Sequence, residues 1–409
     1  MEWKLSILLL LTLLTVYRVV LRVLQARSAG NPTPESVANV YDAETYQRWR
    51  RYCAEKSRLQ IVVSILTYAL TLTLLLTNAY SAVASLFSPH PYMQLLAVVL
   101  FDALVGLPID VVSSYVENLR IEEKYGFNRT TVKTFVLDRI RSFLLSAALS
   151  VLLAMLLAVL HMAIGDWLIL LFAGTLLAIS LIGSFLYPLF SRAGNKFTPL
   201  EEGELKERLM GLLTKHGYRV KAIEVMDASR RTTKLNAYFT GFGRMKTIVL
   251  YDNLVNALTP DEICAVFAHE LGHGLHRDVL KQQILNVLNF LAMACLVWGA
   301  VKLPQLHMAF GFDTVNYGFA FILVGIALGL IQPLIGLVTS VYSRRAEYRA
   351  DCQAVKEGYG EALITALKTL ARGNFSHLSP SRLQVILEYS HPPLAARIEA
   401  IERALQEKG

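Results

Sequence analysis

A chain of 409 residues that is 54% hydrophobic and only 18% charged, with a mean hydropathy of +0.43, is too apolar for an ordinary soluble protein, where about a quarter of residues carry charge. Its formal net charge of +8 comes without a stripe of alternating basic and aromatic residues, so no nucleic-acid partner is expected. Insertion of several helices into a membrane, with anionic lipids as counter-charge, accounts for both features. Cys53, Cys264, Cys295 and Cys352 are scattered without a C-x-x-C pair and indicate neither a disulfide framework nor a thiolate metal site.

Apolar runs of roughly 20 residues suffice to cross about 30 Å of hydrocarbon. Seven occur, near 5–25, 60–87, 94–116, 143–163, 167–190, 284–301 and 317–342, and predict seven transmembrane helices. Arg18 and Arg22 interrupt the first run and no cleavage site follows, so it is read as a retained span and not a secretion signal. The connections after spans one and three are rich in Lys and Arg, whereas those near 88–92, 164–166 and 303–316 have none. By the positive-inside rule the N-terminus lies outside, and segments 191–283 and 343–409 lie on the cytoplasmic side.

The predicted organisation is therefore spans one to five within 1–190, with cytoplasmic loops 26–59 and 117–142, then a first cytoplasmic part (191–283), spans six and seven (284–342) and a second cytoplasmic part (343–409). The stretch 35–58 reads as amphipathic and helical. Residues 235–255 read as a β-hairpin, with Gly241 and Gly243 marking the turn. Span three contains Asp102 and Asp110, and spans one and six contain Arg18, Arg22, Asn286 and Asn289. Such groups face either a water-filled cavity or one another across helices, and the sequence leaves both open.

"TPDE" at 259–262 starts a helix: Thr259 as N-cap, Pro260 in the first turn, Glu262 closing a capping box. Its second and third turns carry "HELGH". Four residues of helix set His269 and His273 on one face, where both imidazoles reach a single zinc ion and Glu270 stands beside it as a proton acceptor. Gly272 admits close approach of another backbone or of substrate. A catalytic zinc needs a third ligand and an open position. Glu347, in "SRRAEYRAD", supplies one, with Asp351 a turn later to accept a hydrogen bond from a ligating imidazole; the alternative is a solvated face paired with Arg344, Arg345 and Arg349.

"EEKYGFN", "NKFTPLEEGEL", "NAYFTGFG", "HELGH", "EYRAD" and "YSHPPLAARI", which follow one another along the chain in that family's order, resemble the type I CAAX prenyl endopeptidases, from about Tyr46 to the C-terminal helix. Shorter heat-shock-type membrane zinc proteases share the zinc motifs without "EEKYGFN". The resemblance implies a mainly α fold in which a seven-helix transmembrane bundle or barrel encloses a chamber, closed by a cytoplasmic-side zincin-like metalloprotease domain. It implies one Zn2+ on His269, His273 and Glu347, Glu270 as general base, His391 as oxyanion donor with Arg397 nearby, and Asn236 and Ala237 as strand-edge contacts for a peptide. The implied substrate is a C-terminally isoprenylated protein, and membrane lipids surround the enzyme. The membrane would be the plasma (inner) membrane in a prokaryote and the endoplasmic reticulum in a eukaryote. Two other readings stay open: a quality-control protease for misfolded membrane proteins, and a transporter or scaffold with a vestigial metal site.

Overall fold

The computed structural model describes residues 2–192, 194–240 and 245–408. The first half is almost continuous helix: α1 (Glu2–Ser28), α2 (Ala43–Leu76), α3 (Ala79–Ser85), α4 (Pro91–Val116), α5 (Val132–Ile164) and α6 (Leu168–Arg192), with a π-helical turn (Glu117–Glu122) prolonging α4. Then follow β1 (Phe197–Pro199), α7 (Glu204–Lys215), β2 (Arg219–Met226), β3 (Ala237–Thr240), β4 (Met245–Tyr251), α8 (Asp252–Ala257), α9 (Pro260–Leu275), α10 (Asp278–Lys302), α11 (Pro304–Met308), α12 (Tyr317–Lys356), α13 (Gly360–Gly373), α14 (Arg382–Glu388) and α15 (Leu394–Lys408).

Among the described residues six helices, not seven, are long and apolar enough to cross a membrane. The expected fifth span falls on α6, whose described apolar stretch, Leu170–Gly183, is shorter than a bilayer requires; the side chains of 184–191 lie outside the described set. The ends of the long helices sort into two groups. Lys4 Nζ donates to Asn78 Oδ1 (2.9 Å), Lys302 Nζ meets Asp166 Oδ1 (2.7 Å), and His161 Nδ1 lies 2.8 Å from the Tyr317 hydroxyl. The opposite ends rest on residues of 191–283 and 343–409: Trp49 Nε1 donates to Phe375 O (3.1 Å) and Arg231 pairs with Asp138 (3.2 Å).

The polar stretch 35–58 is helical from Ala43 and amphipathic, and it continues without a break into the second span. From Ala43 it is the first part of the 34-residue α2, which Asp42 caps by accepting from Thr45 N (2.7 Å). Several of its polar residues, Arg50 and Arg51 among them, are exposed, and its other face packs on protein. Trp49, 1% exposed, and Tyr52 join Phe127, Leu367 and Ile398 in a core shared with α13 and α15.

The expected hairpin is the antiparallel β3–β4 pair, with Ala237 opposite Leu250, and its turn at Gly241 and Gly243 lies outside the described residues. The pair is only half of a four-stranded mixed sheet, order β1-β2-β4-β3, in which β2 runs parallel to β4. A parallel pair needs a crossover, and here that crossover carries β3 to the sheet's edge. Ile248 and Leu250 of the sheet, Leu209 of α7, Phe267 of α9 and Ala366 of α13 form one core, which fixes the edge strand against α9.

Candidate active site

α9 begins at the Thr259–Glu262 capping box, with both reciprocal hydrogen bonds formed. It runs against α12 so closely that a methyl group added at Gly272 would stand 2.8 Å from Ala350 Cα. This contact brings Glu347 of α12 to the two histidines of α9. Donor atoms of His269, His273 and Glu347 all lie within 4.8 Å of one another. His269 Nε2 is 3.6 Å from Glu347 Oε2, and His273 Nε2 is 3.5 Å from Oε1. Ligands at about 2.0–2.1 Å from a tetrahedral zinc stand roughly 3.4 Å apart, so the set matches such an ion. Glu347 is 4% exposed and its Oε2 makes no hydrogen bond, although Arg397 Nη1 lies 3.3 Å away. A cation among the three donors would satisfy that oxygen, and the residues therefore fit a bound metal.

The other imidazole nitrogens are engaged. His269 Nδ1 lies 2.8 Å from Asp351 Oδ1, which fixes the proton there and turns Nε2 toward Glu347. Arg397 donates from Nε to Asp351 Oδ2 (2.9 Å) and from Nη2 to Oδ1 (2.6 Å), so it sits behind the carboxylates. His273 Nδ1 has an equivalent partner that sequence reasoning missed: Asp278 Oδ2, at 3.0 Å. Asp278 is buried and accepts on Oδ1 from the Tyr342 hydroxyl (2.7 Å) and Arg349 Nη2 (2.8 Å). An offset of five does not share a helical face. Arg277, at φ 54°, breaks the helix and folds Asp278 back beneath His273. Burial opposes a charge on His273, but its hydrogen bonds to Glu347 and Asp278 and the charges of Glu347 and Glu270 outweigh it and lift the pKa to about 9. The cluster is built to hold positive charge.

Glu270, half-buried, lines a small recess with Ala237 and Tyr238 of β3 and Val266 of α9. Tyr251 N donates to Asn236 O (3.1 Å), so strand alternation turns the N–H and C=O of Ala237 to the open edge, where Asn236 Oδ1 accepts from Ala237 N (2.9 Å). His391 stands at the mouth, its side chain 65% exposed, with Nδ1 2.8 Å from Glu347 Oε1. Arg344 Nη1 steadies that loop by donating to Tyr389 O (2.6 Å).

Residues 21–192 match the family described as CAAX prenyl protease N-terminal, five membrane helices, and residues 199–405 match peptidase family M48. The chain is 30% identical to a CAAX prenyl protease 1 homolog of Oryza sativa subsp. japonica, over 98% of both chains. It is 32% identical to CAAX prenyl protease 1 of Saccharomyces cerevisiae, over 92% of this chain and 89% of that one. The chain belongs to the type I CAAX prenyl protease family. The crystal structure of S. mikatae Ste24p, at 27% identity, covers 98% of this chain and 99% of its own with a TM-score of 0.90. This member of the CAAX prenyl protease family is accordingly a multi-pass membrane metallopeptidase.

The charged groups in the spans of this CAAX-protease relative serve both purposes left open by the sequence. Asp102 accepts from the Tyr80 hydroxyl (2.7 Å), and Asp110 pairs with Arg139 (3.7 Å), across helices. Arg18 and Arg22 instead line a cavity of about 550 Å3 between α1, α2, α4, α12 and α14, together with Gln60, Glu117, Gln332 and Glu388. Arg22 Nη2 is 3.3 Å from Glu388 Oε1, three residues before His391, which ties the cavity wall to the mouth of the site.

Proposed function

We propose that this chain is an integral membrane zinc endopeptidase that hydrolyses peptide bonds near the C-terminus of isoprenylated, CAAX-type proteins. The observation that carries this reading is two imidazoles and a buried carboxylate, one of whose oxygens makes no hydrogen bond, converging beside Glu270 and an open sheet edge. His269, His273 and Glu347 hold one zinc ion, which when bound supplies the Lewis acidity that polarises a scissile carbonyl and acidifies water. Ala237 pairs with an extended peptide, and Asn236 releases the Ala237 N–H to it. Glu270 takes the proton of the attacking water and delivers it to the leaving amine. His391 donates to the carbonyl oxygen as negative charge gathers there. Asp351, Asp278 and Arg397 hold the ligands in position.

Spans 1–190 and 284–342 form the membrane part, and 191–283 with 343–409 form one catalytic unit on the cytoplasmic face. The family description of five membrane helices up to residue 192 supports a fifth span there, and α10 and α12 bring the number to seven. The grouping of Lys- and Arg-rich helix ends against the catalytic segments supports the orientation. We read the cavity of about 550 Å3 as part of an enclosed chamber.

The test is metal content together with cleavage of a farnesylated C-terminal peptide and its unprenylated twin by wild type and Glu270→Gln. One zinc per chain is expected in both proteins. Wild type cuts the farnesylated peptide, and the variant is slower by a factor of about 10²–10⁴. Equal cleavage of both peptides moves the reading to membrane quality control, and a metal-free, inert wild type removes the enzyme reading.

A further inference from the structure

The residues that lead into the edge strand, 231–235, form no regular element, yet every side of this segment is held. From the membrane side, the "EEKYGFN" loop holds it: Thr233 N donates to Phe127 O (3.3 Å), the Thr233 hydroxyl to Gly126 O (3.0 Å), and Asn128 bridges Thr232 as an antiparallel partner. From the sheet side, Asn253 Nδ2 donates to Thr232 O (2.7 Å). From the C-terminal helices, Asn374, the residue closing α13, holds both backbone groups of Leu235. Its Oδ1 accepts from Leu235 N (2.9 Å) and its Nδ2 donates to Leu235 O (3.1 Å). A side-chain amide here makes the pair of bonds that a neighbouring strand would make.

Leu235 itself is buried and packs against Gly373 so tightly that a methyl group there would meet its Cδ1 at 3.0 Å. Lys234 adds a charged anchor. Its Nζ lies 3.2 Å from Glu122 Oε2, while Glu122 Oε1 accepts from the Tyr52 hydroxyl (2.7 Å) and Lys56 Nζ (3.0 Å). Glu122 is 7% exposed, whereas the Lys234 side chain reaches water, so the pair is shielded on the carboxylate side only. Asn236 and Ala237 follow at once. Nothing in catalysis as described above uses Asn374, Lys234 or Glu122, but all three fix where the open edge begins.

We propose that Asn374, supported by the Lys234–Glu122 pair, is a specificity-determining positioning element that sets which peptide bond of an extended substrate comes to rest at Glu270 and the metal ligands. The inference rests on the reading that substrate pairs with β3. In a strand the pairing period is two residues, so a slip by one residue turns every side chain to the other face. A displacement of about 1 Å in a reacting bond lowers rate by roughly a hundredfold. An edge strand whose first residue is loose therefore admits neighbouring bonds and presents each of them poorly.

The experiment is mass-spectrometric analysis of the fragments from a farnesylated C-terminal peptide, cut by the purified full-length protein. Wild type yields one dominant bond. Asn374→Ala spreads cleavage to adjacent bonds and loses roughly tenfold or more in kcat/KM at the main bond. Metal content and melting temperature serve as the structural readouts. Lys234→Met, whose side chain is partly exposed, leaves Glu122 with Tyr52 and Lys56 and gives the same drift on a smaller scale. Unchanged fragments and kcat/KM in both folded variants overturn the proposal. A peptide N-methylated beside the scissile bond separates this outcome from failure of the strand reading. If wild type cuts that peptide as fast as its parent, strand pairing is wrong and the inference falls with it; if N-methylation slows wild type while Asn374→Ala keeps one bond, only the inference falls.

Discussion

Gly272 is where the helices that carry the proposed metal ligands touch, and Gly272→Ala tests whether that contact sets the geometry of the proposed site. The new methyl group would lie 2.8 Å from Ala350 Cα, 3.1 Å from Gln353 Cβ and 3.3 Å from Ala350 Cβ. Carbon atoms rest at about 3.5–4.0 Å, so α9 and α12 must part by about 0.7 Å or more. Metal–ligand distances tolerate only about 0.2 Å, and His269 and His273 stand on one helix with Glu347 on the other. Overpacking adds a cost of about 1–3 kcal/mol to folding. The expected result is a metal-free form that still folds, with a lowered melting temperature and a metal affinity reduced at least tenfold, measured by chelator competition. Ala350→Gly in the same chain does not rescue it, because the closest clash is with the Ala350 backbone. A Gly272→Ala protein that binds metal as tightly as wild type would refute the argument that helix contact governs the site.

Asp278→Asn removes a carboxylate from His273 and leaves Tyr342 and Arg349 facing an amide. Metal affinity should fall by about 10–100-fold with the fold retained, a result equilibrium dialysis can check. Prolonged chelation of wild type should abolish cleavage, and added Zn2+ should restore it, because the ligand-holding contacts lie within the protein. His377 offers a pH test away from the metal. Burial lowers its pKa to about 4, with Nε2 2.9 Å from the Ser28 hydroxyl and Nδ1 accepting from Ser379 N (3.2 Å). A base with a depressed folded pKa gives stability that is present above its unfolded value, 6.5, and lost as pH falls toward 4. Chemical denaturation should show up to about 1.4 kcal/mol lost per pH unit in this window, and less in His377→Gln. Superimposable pH profiles would exclude His377 as the cause.

The helix carrying "HELGH" was legible because its signals are local: a capping box, a proline in the first turn, and a four-residue spacing that a helix turns into adjacency. The six long spans were legible for the same reason, each being a mostly apolar run of sufficient length. Asp278 was not, since it reaches His273 only through the left-handed residue Arg277, and nothing in an Arg–Asp pair announces a helix break. The partners of the polar half of α2 were not legible, because most of the surface it packs on, around Phe375 and Ile398, comes from far along the chain. β1 and β2 were missed as strands: β1 has three residues, and β2 gains its partner only after the crossover to β4. Asn374 has no sequence signal at all, because its role exists only where α13 ends beside Leu235.

One helix, α12, is both a candidate span and the carrier of Glu347 and Asp351. At 1.5 Å per residue its 40 residues run about 60 Å, and Glu347 stands about 21 Å beyond Pro333. No hinge loop intervenes between the apolar part of this helix and Glu347, the proposed metal ligand. Bilayer thickness thereby becomes a ruler: a membrane that tilts this rod to bury its apolar length also shifts the height at which the scissile bond must be offered. A lipid-anchored chain would then be measured outward from the membrane surface, and the same peptide would be cut differently in thin and thick bilayers.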